Sequence, residues 1–270
     1  MDRLQTKYEQ LQRIIGGYDA LLVAFSGGVD STFLLKAAHE VLAERVLAVT
    51  AHSAVHHAGD LCTAVDFCRS HQIRHLTLTS EEMDDPDFRA NTPQRCYLCK
   101  RSLFRQLWDL ADRHGIAHVA HGANCDDLSD YRPGHQAADE WGVTAPLVEA
   151  GWHKAEIREM AARMGLDVWN RPADACLATR IPYGTPISSR PLQMVATAEA
   201  LLHGLGFDQC RVRHHDTIAR VEVAPEQLGR MLDSDTRHQV VEGLQALGFL
   251  YVSLDLAGYR QGGLNVEIDK

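Results

Sequence analysis

The segment Ser-Gly-Gly-Val-Asp-Ser at 26–31 follows the apolar run Ala-Leu-Leu-Val-Ala-Phe directly. Adjacent glycines let a backbone turn tightly and approach a ligand, and a helix that starts there presents N–H groups and a dipole end that bind anions. The lysine of a GxxxxGKS or GxxxxGKT loop is absent, so the segment favours a pyrophosphate that is bound and released. The alternative is a plain turn in which two side chains only cap the helix. The candidate nucleotide-binding residues are Ser26, Gly27, Gly28, Asp30 and Ser31.

A second polar segment, HGANCDD at 121–127, follows another apolar run. Gly122 could approach a nucleotide closely, and the carboxylates of Asp126 and Asp127 could help to place Mg²⁺ beside its phosphates. The alternative is an Asx turn formed by Asn124 and Asp126. We include Gly122 and Asp126 among the ATP-binding candidates.

Three of the seven cysteines have positions that suit chemistry. Cys96 and Cys99 form a CxxC pair at the predicted start of a helix, where thiol pKa values fall. Such a pair could be a redox couple, half of a zinc site or two buried small residues. Cys176, in a proline-rich segment, is the natural third member, and three thiolates can hold a [4Fe–4S] cluster with one iron left open. We interpret the remaining cysteines as packing residues, namely Cys62, Cys68, Cys125 and Cys210.

The elements that must position these residues alternate along the first part of the chain. Apolar runs at 20–25, 45–50, 74–78 and 117–121 predict strands, and helical patterns over 32–41, 58–71 and 96–113 lie between them. A further helix is predicted over 3–17. This alternation is typical of βαβ units and a parallel sheet.

The character of the chain changes after about residue 150. A helix over 154–164 is followed by a segment at 170–191 that holds four prolines. Beyond it we predict a helix at 190–205, strands at 210–214, 219–223 and 249–256, and a helix at 225–247 with a break near Ser234. The predicted fold class is therefore α/β, with a parallel-sheet domain at 1–170 and a smaller α+β domain at 171–270.

The overall composition limits the class of protein. The 270 residues include 27 basic and 36 acidic side chains, a formal net charge of −9, and 45% of them are hydrophobic. These values are typical of a soluble globular protein, and the negative charge disfavours a nucleic-acid partner. The amino terminus lacks the apolar region of a secretion signal, and no apolar run reaches the roughly 18 residues that span a membrane. We therefore expect a cytoplasmic protein with reduced thiols and no membrane association.

The string AFSGGVDSTFLL resembles the PP-loop of the ATP pyrophosphatase superfamily. This resemblance implies an adenine nucleotide alpha hydrolase-like, Rossmann-like domain that cleaves ATP to AMP and pyrophosphate and transiently adenylates a substrate oxygen. It also implies that the nucleotide lies at the carboxyl ends of the parallel strands, where open α/β sheets generally bind ligands.

The string CLATRIPYGTPIS at 176–188 resembles the signature of the LarE family, and RCYLCK, GANCDD, DYRPG, RVRH and ARVEV extend the likeness over nearly the whole chain. LarE proteins are sulfur transferases in the synthesis of the nickel-pincer nucleotide cofactor of lactate racemase. They adenylate a carboxylate of pyridinium-3,5-biscarboxylate mononucleotide and replace its oxygen with sulfur. Some members sacrifice the cysteine of the signature and leave dehydroalanine, whereas members with an additional CxxC resemble cluster-dependent forms. The resemblance therefore implies ATP and Mg²⁺, and the three cysteines favour a [4Fe–4S] cluster.

The same resemblance suggests roles for charged residues in the second half of the chain. The substrate carries a phosphate and carboxylates, for which Arg180, Arg211 and Arg213 are candidate cations. On a strand, 211 and 213 share a face, although a solvated edge strand is the alternative. Glu199 and Glu222 match acidic family positions near the sulfur site that can bind metal. A third family acid has no clear counterpart, because Arg230 stands near its place and Asp233 lies beyond.

Other functions remain open from the sequence. A tRNA thiolase or an ammonia-dependent amidating ligase of the NAD-synthetase kind would share the PP-loop, and a nucleotide-binding regulator would need no catalysis. The histidines show no zinc-binding spacing, and we assign them no catalytic role. The expected partners are a small-molecule nucleotide substrate, a sulfide or other sulfur donor and further copies of the chain in a homo-oligomer.

Overall fold

The computed structural model describes residues 2–129, 133–171 and 175–260. It confirms the predicted α/β class, because a four-stranded parallel sheet is followed by a separate three-stranded sheet. The chain forms two compact units. The first contains Met1–Ser53, Ala58–Asp84 and Gln94–Asp174, and the second contains Ala54–His57, Asp85–Pro93 and Ala175–Lys270.

The second unit thus includes two short segments, 54–57 and 85–93, from the part of the sequence assigned to a first domain at 1–170. After each of these two segments the chain re-enters the first unit, at Ala58 and at Gln94. Some of the predicted features lie outside the described residues, namely 172–174 and 261–270 of the second domain and 130–132 of the DYRPG motif.

The parallel sheet of the first unit consists of β1 (Leu21–Ala24), β2 (Val46–His52), β3 (Arg74–Thr79) and β4 (Val119–His121), in the order β3-β2-β1-β4. Leu22 of β1 is in register with Leu47 of β2 and Val119 of β4. The first three residues of β1 are fully buried, as expected for a central parallel strand covered on both faces. The two polar segments at 26–31 and 121–127 follow β1 and β4, so both leave the same edge of the sheet.

The helices of the first unit are α1 (Arg3–Gly16), α2 (Val29–Leu42), α3 (Ala58–Ser70), α5 (Arg95–Arg113), α6 (Pro133–Glu140), α7 (Pro146–Glu149) and α8 (Lys154–Arg163), whereas α4 (Pro86–Arg89) belongs to the second unit. In α1 the Asp2 side chain accepts a hydrogen bond from the Leu4 N–H, and the apolar residues at helical spacing are buried. Burying each such side chain contributes about 1.5–3 kcal/mol. The short helices α4, α6 and α7 begin at prolines and were not predicted. None of the helices in the described ranges has the length and apolar character needed to cross a membrane.

The second unit contains α9 (Ser189–Gly204), β5 (Cys210–His215), β6 (Ile218–Val223), α10 (Leu228–Met231), α11 (Ser234–Ala246) and β7 (Tyr251–Leu254). Its sheet has the order β5-β6-β7, antiparallel between β5 and β6 and parallel between β6 and β7. Phe207 and Phe249 are buried in a core that α9, α11 and the three strands share. The predicted break near Ser234 is confirmed, because α11 starts there, and β7 is shorter than the predicted strand at 249–256.

Candidate functional site

The residues at 26–31, which we call the phosphate loop, connect β1 to α2. Gly27 has a φ of +75°, a conformation that residues with a Cβ rarely adopt. Gly28 precedes the first helical residue in an extended conformation, so that the chain turns directly from strand to helix. The predicted strand–glycine–glycine–helix arrangement is therefore present.

The hydroxyl groups of Ser26 and Ser31 form hydrogen bonds within the phosphate loop. The Oγ atoms of Ser26 and Ser31 are 3.0 Å apart, the Gly28 N–H donates to Ser26 Oγ at 3.3 Å, and Ser31 Oγ donates to the Gly28 carbonyl at 3.1 Å. These contacts fix the curvature of the loop before a ligand binds. A bound phosphate would receive hydrogen bonds from a loop that needs little reordering.

Gly122 lies against the start of α2. A Cβ atom at this position would be 2.8 Å from the Ser31 backbone nitrogen and 3.1 Å from the Asp30 carbonyl carbon. Because both neighbours are backbone atoms, only glycine fits without moving the phosphate loop. Gly122 therefore has a packing role, in addition to the nucleotide contact that remains a prediction.

The predicted nucleotide-binding residue Asp30 forms an ion pair with Lys154, the first residue of α8. Asp30 also accepts a hydrogen bond from the Asn124 side-chain amide at 3.4 Å. The side chains of Asp30 and Lys154 are partly exposed. Lys154 is not among the residues predicted from the sequence, although a lysine in the first turn of a helix opposes the helix dipole and is therefore an unusual placement.

Asp126 is held beside this ion pair by the start of α8. Its carboxylate accepts hydrogen bonds from His153 Nδ1 and from the Lys154 N–H, both at 2.7 Å. The bond from His153, then the one from Lys154, hold the pKa of Asp126 below its usual range. The Asx turn considered from the sequence is also present, because the Asp126 N–H donates to Asn124 Oδ1 at 2.9 Å. Asp126 thus presents an ionised carboxylate at this edge of the sheet.

Cys96 and Cys99 occupy the first turn of α5 in the first unit, where Cys96 is exposed and Cys99 is half-buried. Cys176 belongs to the second unit and is half-buried. In the parts of the chain that the structure covers, no three His, Cys, Asp or Glu side chains are grouped to hold a metal ion. The thiols have the right chemistry for a cluster, and a [4Fe–4S] cluster on these three cysteines stays a prediction.

The prediction that the other cysteines are packing residues holds for Cys68 and Cys210, which are buried, and is wrong for Cys62, which is exposed. Cys68 shares the inner face of α3 with Ala64, one turn away, whereas Cys62 lies off that face. Burial raises the pKa of Cys68 to about 12, so this thiol is unreactive at neutral pH. Cys125 is half-buried, and burial raises its pKa as well.

In the second unit, a short turn at Leu177–Arg180 follows Cys176, and we call residues 175–188 the cysteine loop. The N–H and the hydroxyl of Thr179 both donate to the Cys176 carbonyl, at 2.9 and 2.8 Å. Arg180 Nη1 donates to the carbonyls of Ala175 and Cys176 at 2.6 and 3.2 Å. The backbone on both sides of the cysteine is therefore fixed by its own neighbours.

Arg180 and Glu199 form a buried bidentate ion pair. Arg180 Nε and Nη2 donate to the two carboxylate oxygens at 2.9 and 2.8 Å, and the side chains are 0% and 1% exposed. The Val212 N–H donates to the same carboxylate at 2.9 Å, and His57 Nε2 lies 3.8 Å from it. Arg180, the predicted substrate-binding cation, and Glu199, the predicted metal ligand, thus neutralise each other, which favours a positioning role for both.

A second bidentate pair joins Arg213 of β5 to Glu222 of β6, with both bonds at 2.9 Å. Arg213 Nη1 also donates to the Thr179 carbonyl at 2.8 Å, which links this pair to the cysteine loop. Arg211 donates to the Cys210 carbonyl at 2.6 Å, and its guanidinium lies 5.1 Å from the Tyr259 ring. Both arginines are buried, so the alternative is wrong about a solvated face, although β5 is an edge strand of its sheet.

Asn91 is a buried residue of the second unit that sequence reasoning missed. Its amide Nδ2 donates to the carbonyls of Ile181, Pro182 and Thr185 at 3.3, 2.8 and 2.9 Å. The Gly184 N–H returns a bond to the Asn91 carbonyl at 3.0 Å. Asn91 has a φ of +56°, which asparagine tolerates better than most residues. Segment 85–93 therefore holds the cysteine loop in shape.

The parallel sheet and the glycine-glycine turn at the carboxyl end of β1 have the architecture of a PP-loop, Rossmann-like domain, and a smaller domain follows it. No protein-family model matches the chain. Among curated proteins, the chain is 36% identical over 271 residues to pyridinium-3,5-bisthiocarboxylic acid mononucleotide synthase of Lactiplantibacillus plantarum, covering 100% of this chain and 98% of that protein.

The chain is also 41% identical over 267 residues to the uncharacterized protein slr1717 of Synechocystis, covering 99% of this chain and all of that protein. A more distant relative, the uncharacterized protein MJ0830 of Methanocaldococcus jannaschii, is 25% identical over 240 residues, which is 89% of this chain and 90% of that protein. The chain belongs to the LarE family. The family predicted from the cysteine-loop signature is thereby confirmed, whereas the cluster-dependent subtype stays a prediction.

Proposed function

We propose that this protein is an ATP-dependent sulfur transferase that adenylates a carboxylate of pyridinium-3,5-biscarboxylate mononucleotide and replaces its oxygen with sulfur, in nickel-pincer cofactor synthesis. The observation that carries the proposal is the full-length similarity to the L. plantarum synthase, whose name gives the bisthiocarboxylic acid product. The phosphate loop and the rigid cysteine loop supply matching chemistry.

The first half-reaction needs the phosphate loop. A substrate carboxylate oxygen attacks the α-phosphorus of ATP, the bond from that phosphorus to the bridging oxygen breaks, and pyrophosphate leaves with the electron pair. The carboxylate thereby becomes an acyl-AMP with a good leaving group. Loop N–H groups and the Lys154 ammonium would stabilise the charge on the departing oxygens. Lys154 would exchange Asp30 for phosphate, which its partial exposure permits.

Mg²⁺ would accompany the nucleotide as part of its substrate form. Asp30 and Asp126 follow β1 and β4, and their carboxylate oxygens are the ligand type that Mg²⁺ prefers. If Mg²⁺ binds the Asp30 carboxylate, the Lys154 ammonium group loses its ion pair with Asp30 and can contact the phosphates. The metal would supply Lewis-acid charge stabilisation at the phosphoryl oxygens.

The second half-reaction needs a sulfur nucleophile. The sulfur attacks the acyl carbon, the bond from that carbon to the AMP oxygen breaks, and AMP leaves. Arg180, Thr179 and Asn91 fix the backbone that presents Cys176. Arg211 and Arg213 remain the proposed contacts to the substrate anions, although Glu222 already neutralises Arg213. We retain the [4Fe–4S] cluster on Cys96, Cys99 and Cys176 as the proposed sulfur source.

The test is ATP–pyrophosphate exchange that depends on pyridinium-3,5-biscarboxylate mononucleotide, followed by mass detection of the thiocarboxylate product under anaerobic conditions. Cys176→Ala should keep the exchange and lose the product, and Lys154→Met should weaken the exchange. Cys62→Ala, at an exposed thiol, is the matched control. A Cys176→Ala protein that keeps full turnover with ammonia would establish an amidating ligase, and thiolated tRNA would establish a tRNA thiolase.

Iron and acid-labile sulfide in the anaerobically purified protein decide the sulfur source. About four of each per chain, lost in Cys96→Ala, supports the cluster. Their absence, together with loss of the Cys176 sulfur after turnover, supports sacrifice of the cysteine. The homo-oligomer, the separate sulfur donor and the cytoplasmic location remain predictions.

A further inference from the structure

A second partly exposed ion pair involves α3, the helix that packs on the phosphate loop. Arg171 Nη2 contacts Asp60 Oδ1 at 2.5 Å, with side-chain exposures of 31% and 26%. Asp60 is in the first turn of α3, and its backbone carbonyl would lie 3.6 Å from a Cβ atom on Gly27. The first turn of α3 thus packs on the phosphate loop, and Arg171 is paired with a residue of that turn.

The backbone of Arg171 is fixed independently of this ion pair. Arg158 of α8 donates from Nη2 to the Arg171 carbonyl at 2.8 Å and from Nη1 to the Trp169 carbonyl at 3.1 Å. The Arg171 N–H donates to the Val168 carbonyl at 3.0 Å. The guanidinium can therefore leave Asp60 while its main chain stays in place.

Asp60 does not depend on Arg171 alone for its charge. A carboxylate in the first turn of a helix is stabilised by the helix dipole. A partly exposed ion pair contributes little, so exchanging one anion for another costs little. A phosphate, with more negative charge and two oxygens for the planar guanidinium, is the stronger partner.

On these grounds, and resting on the proposed function, we propose that Arg171 is a phosphate-binding residue that moves from Asp60 to the pyrophosphate portion of ATP. The phosphate loop contributes only neutral N–H and hydroxyl donors, so the nucleotide charge has to be met by side chains around it. The ion pairs Lys154–Asp30 and Arg171–Asp60 have the same arrangement. In each pair the acidic residue lies in the first turn of a helix next to the phosphate loop. Arg171 is the second cation of the pyrophosphate site.

The experiment compares Arg171→Met with Asp60→Asn in the full chain by calorimetric titration of inorganic pyrophosphate and of ATP with Mg²⁺. Both variants lose the same ion pair, so a merely structural role predicts the same change for both. A phosphate-binding role predicts opposite changes. We expect Arg171→Met to weaken pyrophosphate binding by roughly ten- to a hundredfold, as for a lost charged hydrogen bond. Asp60→Asn should tighten it by up to about fivefold, because the competing anion is gone.

Matched controls come from the exposed pair on the last turns of α3, Arg69 and Asp66. Arg69→Met and Asp66→Asn change the net charge in the same way and should leave both affinities unchanged. Arg171→Lys should recover part of the affinity, since it keeps the charge and loses the fork. Thermal unfolding midpoints should fall only slightly in Arg171→Met and Asp60→Asn, and somewhat more in Asp60→Asn, which also loses the favourable interaction with the helix dipole. Equal weakening by Arg171→Met and Asp60→Asn, or no change in either, overturns the assignment while the proposed function stands. Wild-type protein that binds neither pyrophosphate nor ATP overturns both.

Discussion

Glu199→Gln should strongly destabilise the second unit, because the buried carboxylate has three donors to satisfy. These are Arg180 Nε, Arg180 Nη2 and the Val212 N–H. Glutamine offers one carbonyl oxygen and one NH₂ group, so at least one of the donors would face another donor. Arg180, which is 0% exposed, would also keep a buried charge without a counterion. Breaking such a pair costs about 3–5 kcal/mol of the free energy of unfolding.

Removing both charges should cost less than removing one. The double variant Arg180→Met with Glu199→Leu replaces the pair with apolar groups of similar size, which by itself is often nearly neutral for stability. It also leaves the buried Val212 N–H without an acceptor, so we expect a cost of about 1–3 kcal/mol. It should nevertheless transfer sulfur poorly, because Arg180 Nη1 no longer binds the carbonyls of Ala175 and Cys176. Arg220→Met, at a partly exposed pair with Glu222, is the control and should cost less than about 1 kcal/mol.

Urea titration gives the free energy of unfolding, and amide hydrogen exchange at Val212 reports the affected strand directly. We expect Glu199→Gln to lose protection at Val212 well before the strands of the first unit are affected. A decrease of less than about 1 kcal/mol in the free energy of unfolding, with Val212 protection unchanged, would refute the reasoning, since an unpaired buried guanidinium costs more than that. A double variant with full sulfur transfer would refute the positioning role alone.

Four further predictions follow from individual contacts. Gly122→Ala places a methyl group 2.8 Å from a backbone nitrogen of α2, so ATP affinity measured by calorimetry should fall by about fivefold to a hundredfold, and an unchanged affinity would contradict the close packing. Asn91→Ala removes three hydrogen bonds from the cysteine loop, which should lower the free energy of unfolding in urea by about 2–4 kcal/mol and slow sulfur transfer. Burial, with smaller contributions from neighbouring cations, lowers the pKa of His121 from 6.5 to about 3. The unfolded chain therefore takes up a proton at this residue below pH 6.5 that the folded chain does not bind. His121 alone should lower stability by about 1.4 kcal/mol per pH unit between pH 6 and 4, and His121→Asn should reduce the measured slope by that amount. Iodoacetamide at pH 8 should label Cys62 and spare Cys68, whose pKa is about 12, until the chain is unfolded, as peptide mass mapping would show.

The parts of the fold that rest on local patterns were predictable from the sequence. The apolar runs at 20–25 and 45–50 carry the signature of strands buried on both faces, and both are strands of the sheet. The phosphate loop was equally predictable from the sequence, because its anion-binding groups belong to consecutive residues between a strand and a helix. Cys62 shows the limit of such patterns, since a small helical residue fits either face of α3.

The parts that rest on distant partners were not predictable. Asn91 binds carbonyls that are 90 to 94 positions further along, and Lys154 binds an aspartate 124 positions earlier. No local pattern identifies either partner, although a lysine in the first turn of a helix is an unusual placement in itself. Similarly, Arg180 and Glu199 were each given a separate role, because only the folded second unit shows that they neutralise each other. Packing in the folded protein decides which charged residues pair with each other, and no periodic sequence pattern identifies those pairs.

The inclusion of segment 85–93 in the second unit has a consequence for synthesis of the chain. Asn91 leaves the ribosome 90 residues before Ile181, the first of its hydrogen-bond partners. At 5–20 residues per second, the segment must wait on the order of 5–20 s for the cysteine loop to emerge. The parallel sheet of the first unit can form during that interval, whereas the second unit can form only after β7 has been synthesised. Translation speed between residues 91 and 254 is therefore a variable that affects the yield of folded protein.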